Sequence, residues 1–329
     1  MKFWRLSFGK TIFVKNLNVD FLAIALGIFL LIQGGNWLMK AAISLSLLFS
    51  IPKIVIGMTV VSFATSAPEL LVSVQSALAG YPDIAMGNVV GSNIANLAFV
   101  LAITIMIAPI EVTKSFYTTD WPMMILASLL LGYFVYFDAV LSSGEGVVMF
   151  LLLIVFLIYL IRFQKVAVID EAPEDDAQLP LKKTLLFLLI GGVFLWLGSE
   201  TLIYGAVNLA KALGVSERII SISIVSIGTS IPELSASIIA VINKEKAISL
   251  GNLIGSNIFN ILAVLGITSM IVPIQVMDMG LLHNDIFWMI GISLLILPLV
   301  FFPYGRALGR IDGIVLLVLY LLFLYPLFV

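Results

Sequence analysis

The sequence predicts an all-α membrane protein of ten transmembrane helices arranged as two inverted repeats of five. Three observations carry that expectation. Hydrophobic residues make up 61% of the chain and charged residues only 11%, against roughly 25% charged in soluble domains. Apolar runs long enough to cross about 30 Å of hydrocarbon, which takes roughly 20 helical residues, recur along the whole chain between short polar breaks. Two motifs also occur twice at one fixed offset.

Taken in order, the runs cover residues 19–40, 52–79, 84–109, 121–138, 145–162, 183–210, 216–242, 247–273, 285–303 and 312–329. The first is long, lacks a small-x-small cleavage site and matches a later segment, so it reads as a true span and not a signal peptide. This divides the chain into an N-terminal tail (1–18), a first five-helix repeat (19–162), a linker (163–182) and a second five-helix repeat (183–329). The linker carries Asp170, Glu171, Glu174, Asp175 and Asp176 beside Pro173 and Pro180. Such a composition stays solvated; the other reading is an acidic cation-sensing segment.

The repeat is legible by direct comparison. Ser62 to Leu70 reads SFATSAPEL and Ser226 to Leu234 reads SIGTSIPEL; Gly87 to Asn96 reads GNVVGSNIAN and Gly251 to Asn260 reads GNLIGSNIFN, each pair 164 positions apart. Pro109 and Pro273 match at the same offset, as do Gly27, Gly34 and Leu38 with Gly191, Gly198 and Leu202. No insertion therefore interrupts the first three spans of either copy. Five spans per copy is an odd number, so the second copy enters the membrane from the opposite side, the inverted design of many secondary transporters.

Orientation follows from Lys and Arg, which cytoplasmic loops retain. One face collects Lys40, Lys53, Lys114, Arg162, Lys165, Lys182, Lys183, Lys244, Lys246, Arg306 and Arg310. The other has Lys211, Arg218, Lys2, Arg5, Lys10 and Lys15. This asymmetry places the linker in the cytoplasm and both termini outside, although the basic N-terminal tail pulls the other way. A net charge of −2 with scattered basic residues gives no nucleic-acid surface, and the absence of cysteine excludes disulfides, thiolate metal sites and thiol redox chemistry.

Two glutamates carry the chemistry. Glu69 and Glu233 lie deep in apolar spans, where a charge costs at least about 2.5 kcal/mol, and the only Lys and Arg within the predicted spans, Lys40, Lys53, Arg162, Lys183 and Arg218, stand at span ends, far along the chain from them. A bound cation or proton supplies the missing compensation. Each follows a proline, Pro68 or Pro232, which removes a backbone donor and frees a carbonyl. Ser62, Ser66 and Glu69 share a helix face with Thr65 adjacent, and Ser226, Thr229, Ser230 and Glu233 repeat the arrangement. Asn88, Ser92 and Asn96 recur every four residues, as do Asn252, Ser256 and Asn260, giving polar stripes able to oppose the glutamates. Gly87 and Gly91, like Gly251 and Gly255, form small-residue faces that let helices approach closely. Oxygen ligands without nitrogen or sulfur suit a hard cation such as Ca²⁺ or Na⁺.

Any one of these Ser, Thr or Asn residues has an ordinary use as an interhelical hydrogen bond; the same constellation appearing twice does not. Glu200, opposite Asn36 in the repeat, and Asp120, Asp138 and Asp312 near span ends read as interfacial or hydrogen-bonded groups, and His283 as a solvated loop residue. Two rival functions are weighed. A passive cation channel would use the same ligands but has no need of two inverted halves. An intramembrane hydrolase could use paired glutamates, yet the spans contain no histidine or cysteine.

The motifs ATSAPEL with GSNIAN and GTSIPEL with GSNIFN resemble the two alpha repeats of the calcium/cation antiporter superfamily, above all the prokaryotic sodium/calcium exchangers. The resemblance runs over nearly the whole chain. It implies a ten-helix sodium/calcium exchanger-like fold, cation sites among the second, third, seventh and eighth helices, and alternating access by sliding of the first and sixth. It implies an antiporter and not an enzyme, exchanging Ca²⁺ for Na⁺ or for H⁺ without a cofactor. The expected setting is the lipid bilayer of a prokaryotic inner (cell) membrane, the chain acting as a monomer. By motif position, Glu69 and Glu233 would be the central carboxylate ligands; Thr65, Ser66, Ser92, Thr229, Ser230 and Ser256 would give hydroxyl or backbone oxygens, and Asn96 and Asn260 would complete the ring. The chain departs from the pattern at Ala64, where the usual motif has Gly, and at Asn260, where sodium/calcium exchangers commonly show Asp. With Asn at both ring positions the site holds two negative charges, which one Ca²⁺, two Na⁺ or two H⁺ neutralise and three Na⁺ would exceed. Proton-coupled members also tend to carry Asn here, whereas potassium-dependent members resemble the Asp versions, which argues against potassium coupling.

Overall fold

The computed structural model describes residues 4–163, 179–213 and 228–328. Prolines, which fix φ and lack an N–H, punctuate its helices. α1 (Trp4–Phe49) runs ahead of the first proline, Pro52. α2 (Lys53–Leu78) follows Pro52, and α3 (Pro82–Ile107) opens on Pro82 and stops short of Pro109. α4 (Phe116–Tyr136) and α5 (Ser143–Phe163) complete the first half. α6 (Leu181–Ala212) starts after Pro180, and α7 (Ile231–Ile242) carries Pro232 in its first turn. α8 (Lys246–Ile271) ends before Pro273, α9 (Leu281–Phe301) before Pro303, and α10 (Arg310–Phe328) closes the chain.

Eight of these helices, α1 to α6 with α8 and α9, are long and apolar enough to cross a membrane, α1 through its part Val19–Phe49. α7 has 12 residues and α10 has 19. α1 reaches back to Trp4, so a helix occupies most of the stretch expected to be a tail, with no proline there to stop it. The expected seventh span, 216–242, is described only from residue 228. Ser226, Arg218, Lys2 and linker residues 164–178 lie outside the described residues. His283 sits in the first turn of α9 and not in a loop, and is exposed.

Wider, π-type turns interrupt several helices, a feature frequent at functional sites. They cover Gly57–Val61 in α2, Asn96–Val100 in α3, Phe116–Asp120 in α4, Asn260–Leu265 in α8 and Leu281–Asp285 in α9. Those in α3 and α8 begin on the final asparagine of each GSNIxN motif.

The halves are tied on both faces. Short strand β1 (Ile110–Glu111) pairs antiparallel with β4 (Ala307–Leu308), and β2 (Val140–Leu141) with β3 (Ile274–Gln275), so each two-stranded sheet joins one half to the other. Lys53 and Glu245 add a 2.7 Å ion pair between the start of α2 and the start of α8. Asp83 Oδ1 accepts from the Met277 and Asp278 amides at 2.8 and 3.2 Å.

Two apolar clusters result. The larger joins α2 to α5 with α8, α9 and α10, around residues such as Met86, Leu101, Met124, Leu253 and Leu316. The smaller gathers Leu31, Leu38 and Met39 of α1 with Leu195 of α6, Ile56 of α2 and Ile239 of α7. α1 and α6 meet along glycines. A Cβ added at Gly27 would lie 2.6 Å from the Leu202 nitrogen, one at Gly191 2.7 Å from the Leu38 nitrogen, one at Gly34 2.8 Å from the Leu195 nitrogen, and one at Gly198 2.9 Å from the Leu31 nitrogen. The two backbones touch, antiparallel, and any side chain would part them. Outward, Leu22, Phe29, Leu126, Val155, Leu189 and Phe287 are exposed, an apolar belt that water would not tolerate and lipid would cover.

Candidate cation site

Glu69 stands one turn into the second half of α2, directly after Pro68, which leaves the Ala64 carbonyl without its helical donor. Glu233 stands in the first turn of α7 after Pro232. Both side chains are completely buried, with Thr65, Asn96, Ser256 and Asn260, while Ser66, Ser92 and Ser230 are within a few per cent of it; Thr229 is half-buried. The ion pair Lys53–Glu245 is itself largely buried, and no lysine or arginine among the described residues forms an ion pair with Glu69 or Glu233.

The polar contacts cross between halves. Thr65 and Ser256 hydroxyls lie 3.3 Å apart, and Ser92 and Thr229 hydroxyls 3.1 Å apart; these are equivalent pairs with the halves exchanged, since 65 + 164 is 229 and 92 + 164 is 256. Thr65 also donates to Asn252 Oδ1 at 3.2 Å. The Ser66 hydroxyl donates to Glu233 Oε1 at 3.4 Å, and Thr65 and Ser256 also flank that carboxyl group. Behind the ring, Asn88 donates to Ser73 at 3.0 Å and Asn252 to Ser237 at 3.1 Å, equivalent braces in the two halves.

Several buried atoms at the centre have no hydrogen-bond partner among the described residues. They are both carboxylate oxygens of Glu69, Oε2 of Glu233, both side-chain atoms of Asn96, Oδ1 of Asn260 and the Ser230 hydroxyl. Orphaned polar atoms in a sealed interior are costly, and their convergence gives oxygen donors of the kind hard cations take. No group of three or more Asp, Glu, His or Cys that could hold a metal ion is present among the described residues.

Not every sequence-predicted residue joins this ring. The Ser62 hydroxyl faces backbone, 2.8 Å from the Gly57 carbonyl and 2.9 Å from that of Asn252, and so ties α2 to α8. The close approach expected of Gly251 and Gly255 is present: a Cβ at Gly255 would fall 2.5 Å from Met58 Cα, and one at Gly57 across the seam 2.5 Å from the Ile248 carbonyl. Gly87 meets only the Leu281 side chain among the described residues, at 3.6 Å. Of the two carbonyls expected to be freed by proline, that of Gly228 accepts from Ser199 of α6 at 2.9 Å. Ser199 aligns with Gly35, which has no hydroxyl, so the first half lacks this cap. Asp138 and Asp312 accept from the backbone amides of Val140 and Gly309, as their positions near span ends suggest. Sequence reading passed over Asn93 and Asn257, which sit within the quoted motifs. Asn93 donates to the Asn257 carbonyl at 3.1 Å and accepts from Asn260 at 3.1 Å.

Residues 19–162 and 183–329 match the family described as Sodium/calcium exchanger protein. The chain is 36% identical to CaxA of Alkalimonas amylolytica, over 93% of this chain and 97% of that one. It is 33% identical to the inner membrane protein YrbG of Escherichia coli, over 76% and 79%. Among solved structures it is similar to the sodium-calcium exchanger NCX_Mj soaked with zero Na⁺ and Ca²⁺, with a TM-score of 0.80, 28% identity, and 94% and 99% of the two chains covered.

Proposed function

Because the chain belongs to the sodium/calcium exchanger protein family, we propose that it is a multi-pass membrane antiporter that exchanges Ca²⁺ for Na⁺ by alternating access. The observation that carries this reading is the pair Glu69 and Glu233, buried, drawn from equivalent positions of the two halves, with three of their four carboxylate oxygens unpartnered among the described residues. The transported ions are the substrates. Glu69 and Glu233 supply the charge, Thr65, Ser66, Ser92, Thr229, Ser230 and Ser256 neutral oxygens, and Asn96 and Asn260 amide carbonyls. Ser62 and Ser226 complete the proposed set; Ser62 holds α2 against α8.

The proposed architecture has ten spans in two inverted repeats, 19–162 and 183–329, with α7 the visible end of the seventh. Inversion is supported by the antiparallel meeting of α1 and α6, which occupy the same place in the two halves, and by the exchange of equivalent residues across the Thr65–Ser256 and Ser92–Thr229 pairs. The basic-residue asymmetry puts the linker in the cytoplasm, and likeness to an inner membrane protein supports the inner membrane of a prokaryote.

Exchange with protons is the second reading, favoured by one observation: Asn at both 96 and 260 leaves the ring with two carboxylates, a charge matched by one Ca²⁺, two Na⁺ or two H⁺. Calcium uptake into proteoliposomes, driven separately by an outward sodium gradient and an outward proton gradient, decides between them. Sodium-driven uptake is the expected result. Uptake driven only by protons would move the chain to the second reading, and uptake needing no counter-ion would make it a channel.

A further inference from the structure

The two GSNIxN motifs carry the same spacing, yet the structure uses them differently. In the second, the backbone carbonyl of Asn257 can only accept a hydrogen bond. The end of the Asn93 amide that faces it at 3.1 Å is therefore the NH₂, a direction reinforced by the Met289 sulfur 3.8 Å from the same nitrogen. This leaves Asn93 Oδ1 facing Asn260, so Asn260 must turn its own NH₂ toward Asn93, at 3.1 Å. Oδ1 of Asn260 is then the free end, buried and without a protein partner among the described residues. In the other half the relay is missing among the described residues: Asn257 donates to the Leu253 carbonyl of its own helix at 2.7 Å, and neither side-chain atom of Asn96 has a hydrogen-bond partner there.

We propose that Asn93 is a positioning residue which, held by the Asn257 carbonyl, locks Asn260 so that its carbonyl oxygen and not its NH₂ faces the transported cation. The proposal rests on the cation-site reading above and adds a residue that touches no ion. A flipped Asn260 would present two N–H donors, which repel a cation, so the lock acts on affinity. It also makes the ring unequal, with one fixed amide ligand at 260 and one free to turn at 96. A carboxylate at 260 would set two acceptors against each other at the Asn93 contact, so in this chain the position is built for an amide.

The test is a double-mutant cycle on calcium uptake by the full-length protein in proteoliposomes, with Asn93→Leu, Asn260→Ala and the double variant. Asn93→Leu, close in volume and unable to hydrogen-bond, is expected to raise KM for calcium about tenfold, the weight of one orienting hydrogen bond, with a much smaller change in maximal rate. The double variant is expected to match Asn260→Ala alone, since Asn93 has nothing left to orient. An unchanged KM in Asn93→Leu, or effects that multiply in the double variant, overturns the proposal; a purely structural role would lower both single variants independently. If Asn93→Leu does not fold, Asn93→Thr keeps a donor for the Asn257 carbonyl but falls short of Asn260, and takes its place in the cycle. Glu233→Gln runs alongside: wild-type transport by that variant would sink the site itself, whereas its loss with an intact KM in Asn93→Leu would sink only the relay.

Discussion

Glu233→Gln changes one oxygen to NH₂, keeps the shape and removes half the formal charge of the ring. Glu233 is fully buried, contacts Ser66 at 3.4 Å through one oxygen and presents the other without a partner among the described residues. At a calcium–oxygen distance of about 2.4 Å and an effective dielectric constant of about 20, one carboxylate attracts Ca²⁺ by about 14 kcal/mol before dehydration is subtracted, and Na⁺ by about half as much. Dehydration of ion and carboxylate cancels most of this. If about one-fifth survives, the substitution costs about 3 kcal/mol for Ca²⁺ and about 1.5 kcal/mol for Na⁺. Half-saturating calcium should then rise about a hundredfold and half-saturating sodium about tenfold. Calcium uptake into proteoliposomes at a range of calcium and sodium concentrations measures both, with a thermal unfolding curve in detergent to establish that the variant is folded. Equal losses for the two ions, or wild-type half-saturation for calcium in a folded variant, would refute the electrostatic reasoning.

Packing and topology give two more predictions. Gly255→Val forces a side chain against Met58 Cα at 2.5 Å and the Ser62 hydroxyl, an overpacking worth about 1–3 kcal/mol. Its melting temperature in detergent should fall by several degrees, while Gly291→Ala, whose added Cβ would meet no atom of the described residues within 4 Å beyond its own stretch of helix, should not lower it; equal values would contradict the helix seam. Protease added to sealed right-side-out vesicles should spare the 163–182 linker and cut it after the vesicles are inverted, and the reverse pattern would invert the topology.

Much of this was legible in the chain because both the membrane and the repeat leave period-free signals. Apolar runs show α2 to α6 and α8 to α10 within a few residues, since hydrocarbon thickness sets their length. The glutamates and their hydroxyl neighbours stand out because nothing in an apolar span compensates them. What was not legible depends on which groups meet across helices. Ser62 and Ser66 lie on one face by spacing alone, yet only Ser66 reaches a carboxylate, because α8 approaches so closely at Gly255 that Ser62 is spent on its backbone. Identical SNIxN spacing could not tell that Asn93 crosses to the partner helix while Asn257 bonds within its own. The Ser199 cap on Gly228 was hidden for a similar reason: its counterpart in the repeat is Gly35, so comparison of the halves pointed away from it. The helical start at Trp4 was missed because a basic, polar stretch resembles a tail until the absence of any proline is weighed.

The glycine seam between α1 and α6 bears on leakage. Backbones in direct contact at Gly27, Gly34, Gly191 and Gly198 hold the two helices together, so under the alternating-access mechanism proposed above the pair would shift as a single shutter. The smaller apolar cluster, which sets them against Ile56 of α2 and Ile239 of α7, is the surface over which such a shutter would move, while the two small sheets join the halves at each end. A single shutter uncovering one side would cover the other, and ions held at the proposed site of Glu69 and Glu233 would then never see both compartments at once.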